Sequence, residues 1–439
     1  MNTLKIRLIS WTTWPLIGML GLLLVTLAPN ANAVPAYAQQ THMACSACHV
    51  GAFGPQLTPF GRQFKLLGYS LKIGSGLTPK VSLRITESFT HTQAAQAGGA
   101  APGFGPNNNW DMQTAALYFA GAISEHSGMF VQVSYAQHDV VGWDMADIRY
   151  ARTAQFGSHT AIWGITLNNS PTMSDIYNSA PSWMYPYVGS DLAPEAPAAP
   201  VLMGGFMNGI LGVTAYTQID GKWYIEAGGY RIPSQAFLND VNGMDMGRLN
   251  SVAPYLRVAY QTNLSAQSNL EIGGMYFAPN LQPMRMGPGT DDYQDYGVDA
   301  SYEWFGNNYK HSFTMQGLYV HEKQTLNNSV AVGRASNLNN TLNALNLNAS
   351  YWYENTYGAT AAVFNNTGSS DVLRYGGSPD TEGGIVELNW VPFGKRTSWK
   401  QPYVNLRVGL QYTFYNKFSG FTNNASDNNT TYLYFDTFF

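Results

Sequence analysis

The chain has 439 residues, of which only 11% are charged while 14% are aromatic, and its formal net charge is −4. That length admits several soluble domains or one large barrel. So few charges beside so many aromatics suit a soluble surface poorly, and a slightly acidic balance argues against nucleic acid as a partner.

The N-terminus comes first. Lys5 and Arg7 give a basic start, an apolar stretch runs from Trp11 to Leu27, and Ala31-Asn32-Ala33 supplies the small residues that signal peptidase needs. The pattern predicts a secretory signal over residues 1–33, with Ala36-Tyr37-Ala38 as a second cleavage site. Its removal takes away two basic residues and no acidic ones, which leaves 21 basic against 27 acidic residues, or a net −6. Beyond it, no uninterrupted apolar stretch is long enough for a spanning helix.

Residues 34–79 form a short segment with one distinctive motif. Cys45-Ser46-Ala47-Cys48-His49 is the C-x-x-C-H pattern of covalent c-type haem attachment, and Cys45 and Cys48 are the only cysteines of the chain. Two thiols at this spacing add to the two vinyl groups of one porphyrin, and the adjacent imidazole of His49 is delivered to the iron as proximal ligand. A redox dithiol is the competing reading, but no βαβ pattern surrounds it. One haem c is therefore expected.

The distal ligand is left open between His42 and Met43, which lie close before Cys45, and the histidines further along, His91, His126, His138, His159, His311 and His321. So short a segment buries little haem surface alone, so the rest of the chain is expected to complete the pocket. A helix is predicted to start after Pro59, and its Arg62 and Lys65 are candidates to pair with haem propionates, or else solvated surface charges.

From about Lys80 to Phe439 the chain alternates amphipathic strands with turns. Val81, Leu83 and Ile85 alternate with Ser82, Arg84 and Thr86. Leu345, Leu347, Ala349, Tyr351 and Tyr353 oppose Asn346, Asn348, Ser350 and Trp352. From Tyr403 to Phe414, Val404, Leu406, Val408, Leu410, Tyr412 and Phe414 share one face, and Asn405, Arg407, Gly409, Gln411 and Thr413 share the other. A period of two with one polar face fits lipid outside and a wet lumen inside. Strands bounded by aromatics, and a C-terminus in which Leu433 and Phe435 share a face with the terminal Phe439, resemble the closing-strand signal of outer-membrane barrels.

Roughly 20 to 24 residues for each strand with its loop suggest about 14 to 18 strands, and 16 is the expectation. The fold class read from the sequence is thus all-β, a 16-stranded antiparallel transmembrane barrel over 80–439, with the c-type cytochrome segment of 34–79 as its plug. Outer-membrane lipid is the expected surrounding, and the oligomeric state stays open, with a homotrimer as the candidate because barrels of this size are often trimers.

Three blocks of sequence carry a resemblance. Pro35 to His49, then Leu57-Thr58-Pro59-Phe60-Gly61-Arg62-Gln63-Phe64-Lys65 with Gly68-Tyr69, looks like the N-terminus of the fused monohaem cytochrome-porins of iron-oxidising bacteria. Asp147-Ile148-Arg149-Tyr150-Ala151 is the second block. The third runs from Thr166-Leu167-Asn168-Asn169-Ser170-Pro171-Thr172 to Tyr187 and includes Asp175, Asn178, Pro181, Trp183 and Pro186.

The resemblance implies one haem on Cys45, Cys48 and His49, a 16-stranded barrel, and oxidation of Fe(II) outside the cell. The electron would pass on to a periplasmic c-type cytochrome. His42 stands where many members have Gly, so a different local turn is expected there. Read from its residues alone, Thr166 to Tyr187 is a loop rich in turn formers, suited to a constriction that holds the plug.

Acidic residues Asp191, Glu195, Asp291, Asp292 and Asp295 read as loop positions that could draw Fe(II) or simply be solvated. Two rival functions remain, a transport porin whose haem segment is a structural plug, and the same conduit serving an extracellular donor other than iron.

Overall fold

The computed structural model describes residues 35–73, 79–136, 140–400 and 403–439, so the expected signal peptide and His138 lie outside the described residues. Eighteen strand segments form one continuous sheet. Two of them, Gly247–Leu249 and Asn280–Pro283, are short and pair with each other. The remaining sixteen are the long staves expected from the sequence. Each pairs antiparallel with its sequence neighbour, and the first (Lys80–Thr92) closes the ring on the last (Thr430–Phe438) through register pairs from Arg84↔Phe438 to Thr92↔Thr430. Closure leaves no edge, so the backbone polar groups of the wall are paired within it.

The two faces of each stave divide as the period-two pattern requires. In Asp291–Gly306, Asp291, Tyr293, Asp295 and Asp299 are buried inside, while Tyr296 and Val298 face out. In the strand that starts at Asn405, the side chains of Asn405, Arg407 and Gln411 are buried and those of Leu410 and Tyr412 are exposed. The early strand extends past its predicted end at Thr86 to Thr92, but the inward face of Ser82 and Thr86 is the one expected.

Large apolar side chains cover the outside, among them Trp110, Trp163, Trp223, Val298, Trp390 and Leu410. A closed barrel with an apolar exterior and a polar interior is stable in a bilayer and costly in water. The fold is a transmembrane β-barrel. No described helix is long and apolar enough to cross a membrane.

Two irregular stretches fold against the inner wall. Loop 169–210, between strands His159–Asn168 and Leu211–Ile219, buries Met173, Ile176, Tyr177 and Ala180. It packs through Leu202, Phe206 and Ile210 on the inward Tyr230, Tyr255 and Phe277. Segment 35–73 is the other. Its Val50, Ala52 and Phe53 join a cluster with Phe305, Trp352 and Val391, and its Leu66 packs with Ile176, Tyr177, Tyr216 and Tyr224. Both stretches meet lumen-facing residues of strands far apart in sequence, so the barrel wall is the frame on which they are folded.

Candidate functional site

Local sequence explains the shape of segment 35–73. A short helix, Ala36–Thr41, ends at His42, which adopts a left-handed backbone (φ 54°). Glycine favours that conformation, and here a histidine adopts it. The cysteines occupy a single helical turn, Cys45–Cys48.

Thr58 then caps the predicted helix, Pro59–Leu66, by accepting from Gly61 N, with Pro59 in the first turn where its missing N–H costs nothing. This helix presses on the cysteine turn. A Cβ built on Gly61 would stand 2.2 Å from the Cys48 carbonyl oxygen, so only glycine permits the approach. The Thr58 hydroxyl also donates to Ala47 O at 2.6 Å, and Thr58 N to Cys48 O at 2.9 Å.

The wall fixes the segment from several directions. Gly51 N donates to Asn355 Oδ1 at 3.1 Å, Gln56 Nε2 to Thr314 Oγ1 at 2.6 Å, and Asn405 Nδ2 to Ala52 O at 2.7 Å. Arg62, which the sequence offered to a propionate or to solvent, is buried and paired with Glu303. Lys65 is buried too, with Nζ donating to Met173 O, Asp175 O and Asn178 Oδ1, each at 2.8 Å. Burial pulls Lys65 down to about 7, with Arg149 adding to the fall, while Asp147, Asp175 and Glu226 act the other way. Both cations are structural ties, because a segment enclosed by a barrel has little surface on which to solvate them.

The three sequence blocks behind the resemblance meet in the lumen. Tyr69 donates to Asp147 Oδ2 at 2.6 Å, Arg149 Nε binds the same oxygen at 2.6 Å, and Thr166 donates to Asp147 Oδ1 at 2.9 Å. Arg149 Nη2 reaches Ser174 O at 2.7 Å, and Asn178 Nδ2 reaches Pro55 O at 2.7 Å. Asp175 ties the loop to the far wall by pairing with Arg257, which also pairs with Glu271 and Asp299. Loop 169–210 thus holds segment 35–73 in place, as the turn-rich composition of Thr166 to Tyr187 suggested.

Beside the C-x-x-C-H turn lies a cavity of about 1020 Å³. Cys45, Cys48 and His49 line it together with Phe53, Arg84, Trp143, Trp183, Tyr185, Arg407 and Phe438. No disulfide joins the two cysteines. Burial pushes both thiols up to about 12, so they stay protonated, and lowers His49 to about 4, so its imidazole is neutral. The Nδ1 of His49 is buried without a hydrogen-bond partner among the described residues.

Two adjacent thiols, a neutral imidazole and a roomy, aromatic-lined space are the donor set and surroundings that a covalent haem requires, and the volume matches the upper range of cofactor sites. The residues present fit that group.

None of the other described histidines lines this space. His42 is exposed, and His91, His126, His159, His311 and His321 are engaged with Asn108, Arg152, Asp220, Tyr351 and Asn343 respectively. Of the two candidates next to Cys45, Met43 does line it, as do Met145, Met184, Met207 and Met244.

The acidic candidates also separate. Asp191 is exposed on the cavity wall. Asp295 and Asp291 are buried inside, where Asp295 accepts from Leu202 N at 2.7 Å and Asp291 from Ser329 N at 2.9 Å. Asp292 accepts from Asn280 and Thr290, and Glu195 is exposed away from the cavity. The sequence misplaced Asp291 and Asp295 because inward strand positions and loop positions carry the same residue type.

Fold and surface define a transmembrane β-barrel of the outer-membrane class. No protein-family model and no curated protein matches the sequence. Among solved structures, the chain is similar to the outer membrane channel DcaP of Acinetobacter baumannii, at 10% identity over 84% of this chain and 99% of that one, with a TM-score of 0.49. It is similar also to an anion-selective porin from Comamonas acidovorans, at 10% identity over 82% and 98% with a TM-score of 0.45. A third, OmpT of Vibrio cholerae, shares 11% identity over 84% and 99% with a TM-score of 0.42.

Proposed function

We propose that the chain carries one c-type haem, joined through Cys45 and Cys48 and ligated by His49, and that it conducts electrons across the outer membrane. The observation behind this reading is the position of the motif, with both thiols and the imidazole on the wall of a cavity of about 1020 Å³. Bound there, a haem supplies a centre that takes up and releases one electron.

The chain's own residues hold and shield that centre. Thr58 and Gly61 fix the cysteine turn, burial keeps His49 neutral as a nitrogen donor, and Phe53, Trp183 and Phe438 give the cavity an aromatic part of its lining. The resemblance of the sequence to cytochrome-porins points to extracellular Fe(II) as electron donor and to a periplasmic c-type cytochrome as acceptor. Of the five acidic candidates read from the sequence, Asp191 is the one exposed on the cavity wall, where a carboxylate draws cations.

The second reading is a transport porin in which segment 35–73 is a structural insert. It is favoured by the barrel itself, since a closed stave wall with a large internal cavity is equally the build of a passive channel.

The two readings separate on purified protein in detergent and in liposomes. Electron conduction requires a covalent haem spectrum and stopped-flow reduction on mixing with Fe(II), faster than with sulfur or organic donors. His49→Ala should keep some covalent haem, turn it high-spin and slow that reduction sharply. Solute flux into liposomes without any haem spectrum would establish the porin reading, and an unchanged low-spin spectrum in His49→Ala would remove His49 as ligand.

A further inference from the structure

Among the described residues, three cationic side chains line the cavity, Lys65, Arg84 and Arg407. The Lys65 ammonium spends its donors on three oxygens of loop 169–210. The two arginines differ from it. Both bind one carboxylate, Asp436, with Arg84 forked on it through Nε at 2.7 Å and Nη2 at 3.1 Å, and Arg407 Nη2 at 2.9 Å. Thr86 donates to the same carboxylate at 3.0 Å, so its acceptor sites are well filled.

Arg407 is 3% exposed, yet its Nε has no hydrogen-bond partner among the described residues. A buried guanidinium donor left unmatched is costly unless something else binds it. The other acids nearby do not supply that acceptor. Glu387 takes hydrogen bonds from Tyr185, Tyr434, Gln411 and Asn389, and Asp144 takes them from Gln132 and Ser134.

Arg407 also stands near the motif. The Arg407 guanidinium lies 4.8 Å from the Phe53 ring centroid, and Phe53 meets Phe438 at 6.3 Å. One inward position before Arg407, Asn405 faces the Cys45 thiol and holds Ala52 O.

We propose that Arg84 and Arg407 form a carboxylate-binding pair for the propionates of the haem attached at Cys45 and Cys48. The assignment rests on the haem reading above and replaces Arg62 and Lys65 as the propionate partners. The chemistry fits the residues. A haem bound by thioethers on one edge carries two carboxylates on another, and arginine is the side chain best matched to a carboxylate in a poorly solvated space. A free inorganic anion in the lumen would use the same donors.

The test uses the full-length protein in detergent, as wild type, Arg84→Gln, Arg407→Gln and Arg407→Lys, each checked for a heat-modifiable barrel. Three quantities are read: covalent haem per chain, the resonance Raman bands of the propionates, and the midpoint potential from pH 5 to 9 with and without added phosphate. All variants should retain covalent haem, since the thioethers are untouched. Both Gln variants should shift the propionate bands and raise the propionate ionisation by about one pH unit or more, because a carboxylate that loses a cation binds its proton more tightly. Arg407→Lys should restore part of that change.

If Arg407→Gln does not fold, the more exposed Arg84→Gln and the charge-conserving Lys variant still decide the matter. Wild type without covalent haem overturns the haem reading and the assignment with it. Haem present with the same Raman bands and the same pH profile in Arg84→Gln and Arg407→Gln overturns the assignment alone. So does a wild-type potential that responds to phosphate and loses the response in Arg407→Gln while the propionate bands stay fixed, which would place a free anion on the pair.

Discussion

The barrel wall and the material inside it are held by different kinds of order. In the wall, each stave pairs along its length with two neighbours, and one register pair resembles the next, as from Asp291↔Leu326 to Gly306↔His311. Inside, segment 35–73 and loop 169–210 rest on single contacts that nothing repeats, such as Arg62 with Glu303, Lys65 with Met173, and Tyr69 with Asp147. Repetition makes the wall tolerant of local change. The interior is specific and correspondingly vulnerable, so damage to it should leave the frame standing.

The largest expected effect is on the motif. Cys45→Ala or Cys48→Ala should lower or abolish stable haem attachment, read by haem staining of a denaturing gel, while the barrel still shows its heat-dependent mobility shift. Loss of the folded barrel in both variants would break the division between wall and interior.

Next comes the buried pair. Arg62→Met leaves Glu303 in a place where burial has removed water, and breaking such a pair by removing one partner costs about 3–5 kcal/mol. The cost should fall on the segment, seen as protease cleavage between residues 35 and 73 with the staves uncut. Glu303→Gln together with Arg62→Met should recover much of it.

Gly61→Val tests the close approach of helix to cysteine turn. The added Cβ meets backbone, not a flexible side chain, and overpacking of this sort costs about 1–3 kcal/mol. Lower haem occupancy at unchanged barrel yield is the expected outcome, and unchanged occupancy would show that the two elements move independently.

The smallest effect is a pH slope. Lys65 is lowered by burial to about 7, below its usual range, so between pH 7 and about 10.4 the unfolded chain holds a proton that the folded one has released. Stability of the segment should therefore rise with pH across that window, by at most about 1.4 kcal/mol per unit. Lys65→Met should abolish the slope in protease-protection measurements, and a flat wild-type profile across the same window would mean that the three oxygen acceptors keep the ammonium charged.

The same contrast decides what could be read in advance. The wall was legible because its rule is local: Leu406 out and Arg407 in follow from alternation alone, and the length of the chain gave the number of long staves. The helix behind Thr58-Pro59 was legible for the same reason, since a cap and a first-turn proline act on their own neighbours. Interior partners obey no local rule. Nothing near Arg62 or Lys65 in sequence announces Glu303, more than two hundred residues on, or the carbonyls of loop 169–210. Arg84 and Arg407 did carry a signal, as charged residues at inward positions of two strands, but only closure of the first stave on the last brings them to one carboxylate.

That closure also sets an order of events. The stave Thr430–Phe438 is what joins the two ends of the sheet, so the compartment around Cys45 and Cys48 has an open side until the last residues of the chain are in place. Anything larger than the finished cavity admits must reach the thiols while the side is open. On the proposed haem reading, attachment at Cys45 and Cys48 thus has a deadline set by the stave Thr430–Phe438, and a variant that zips that stave sooner should shorten the time allowed for it.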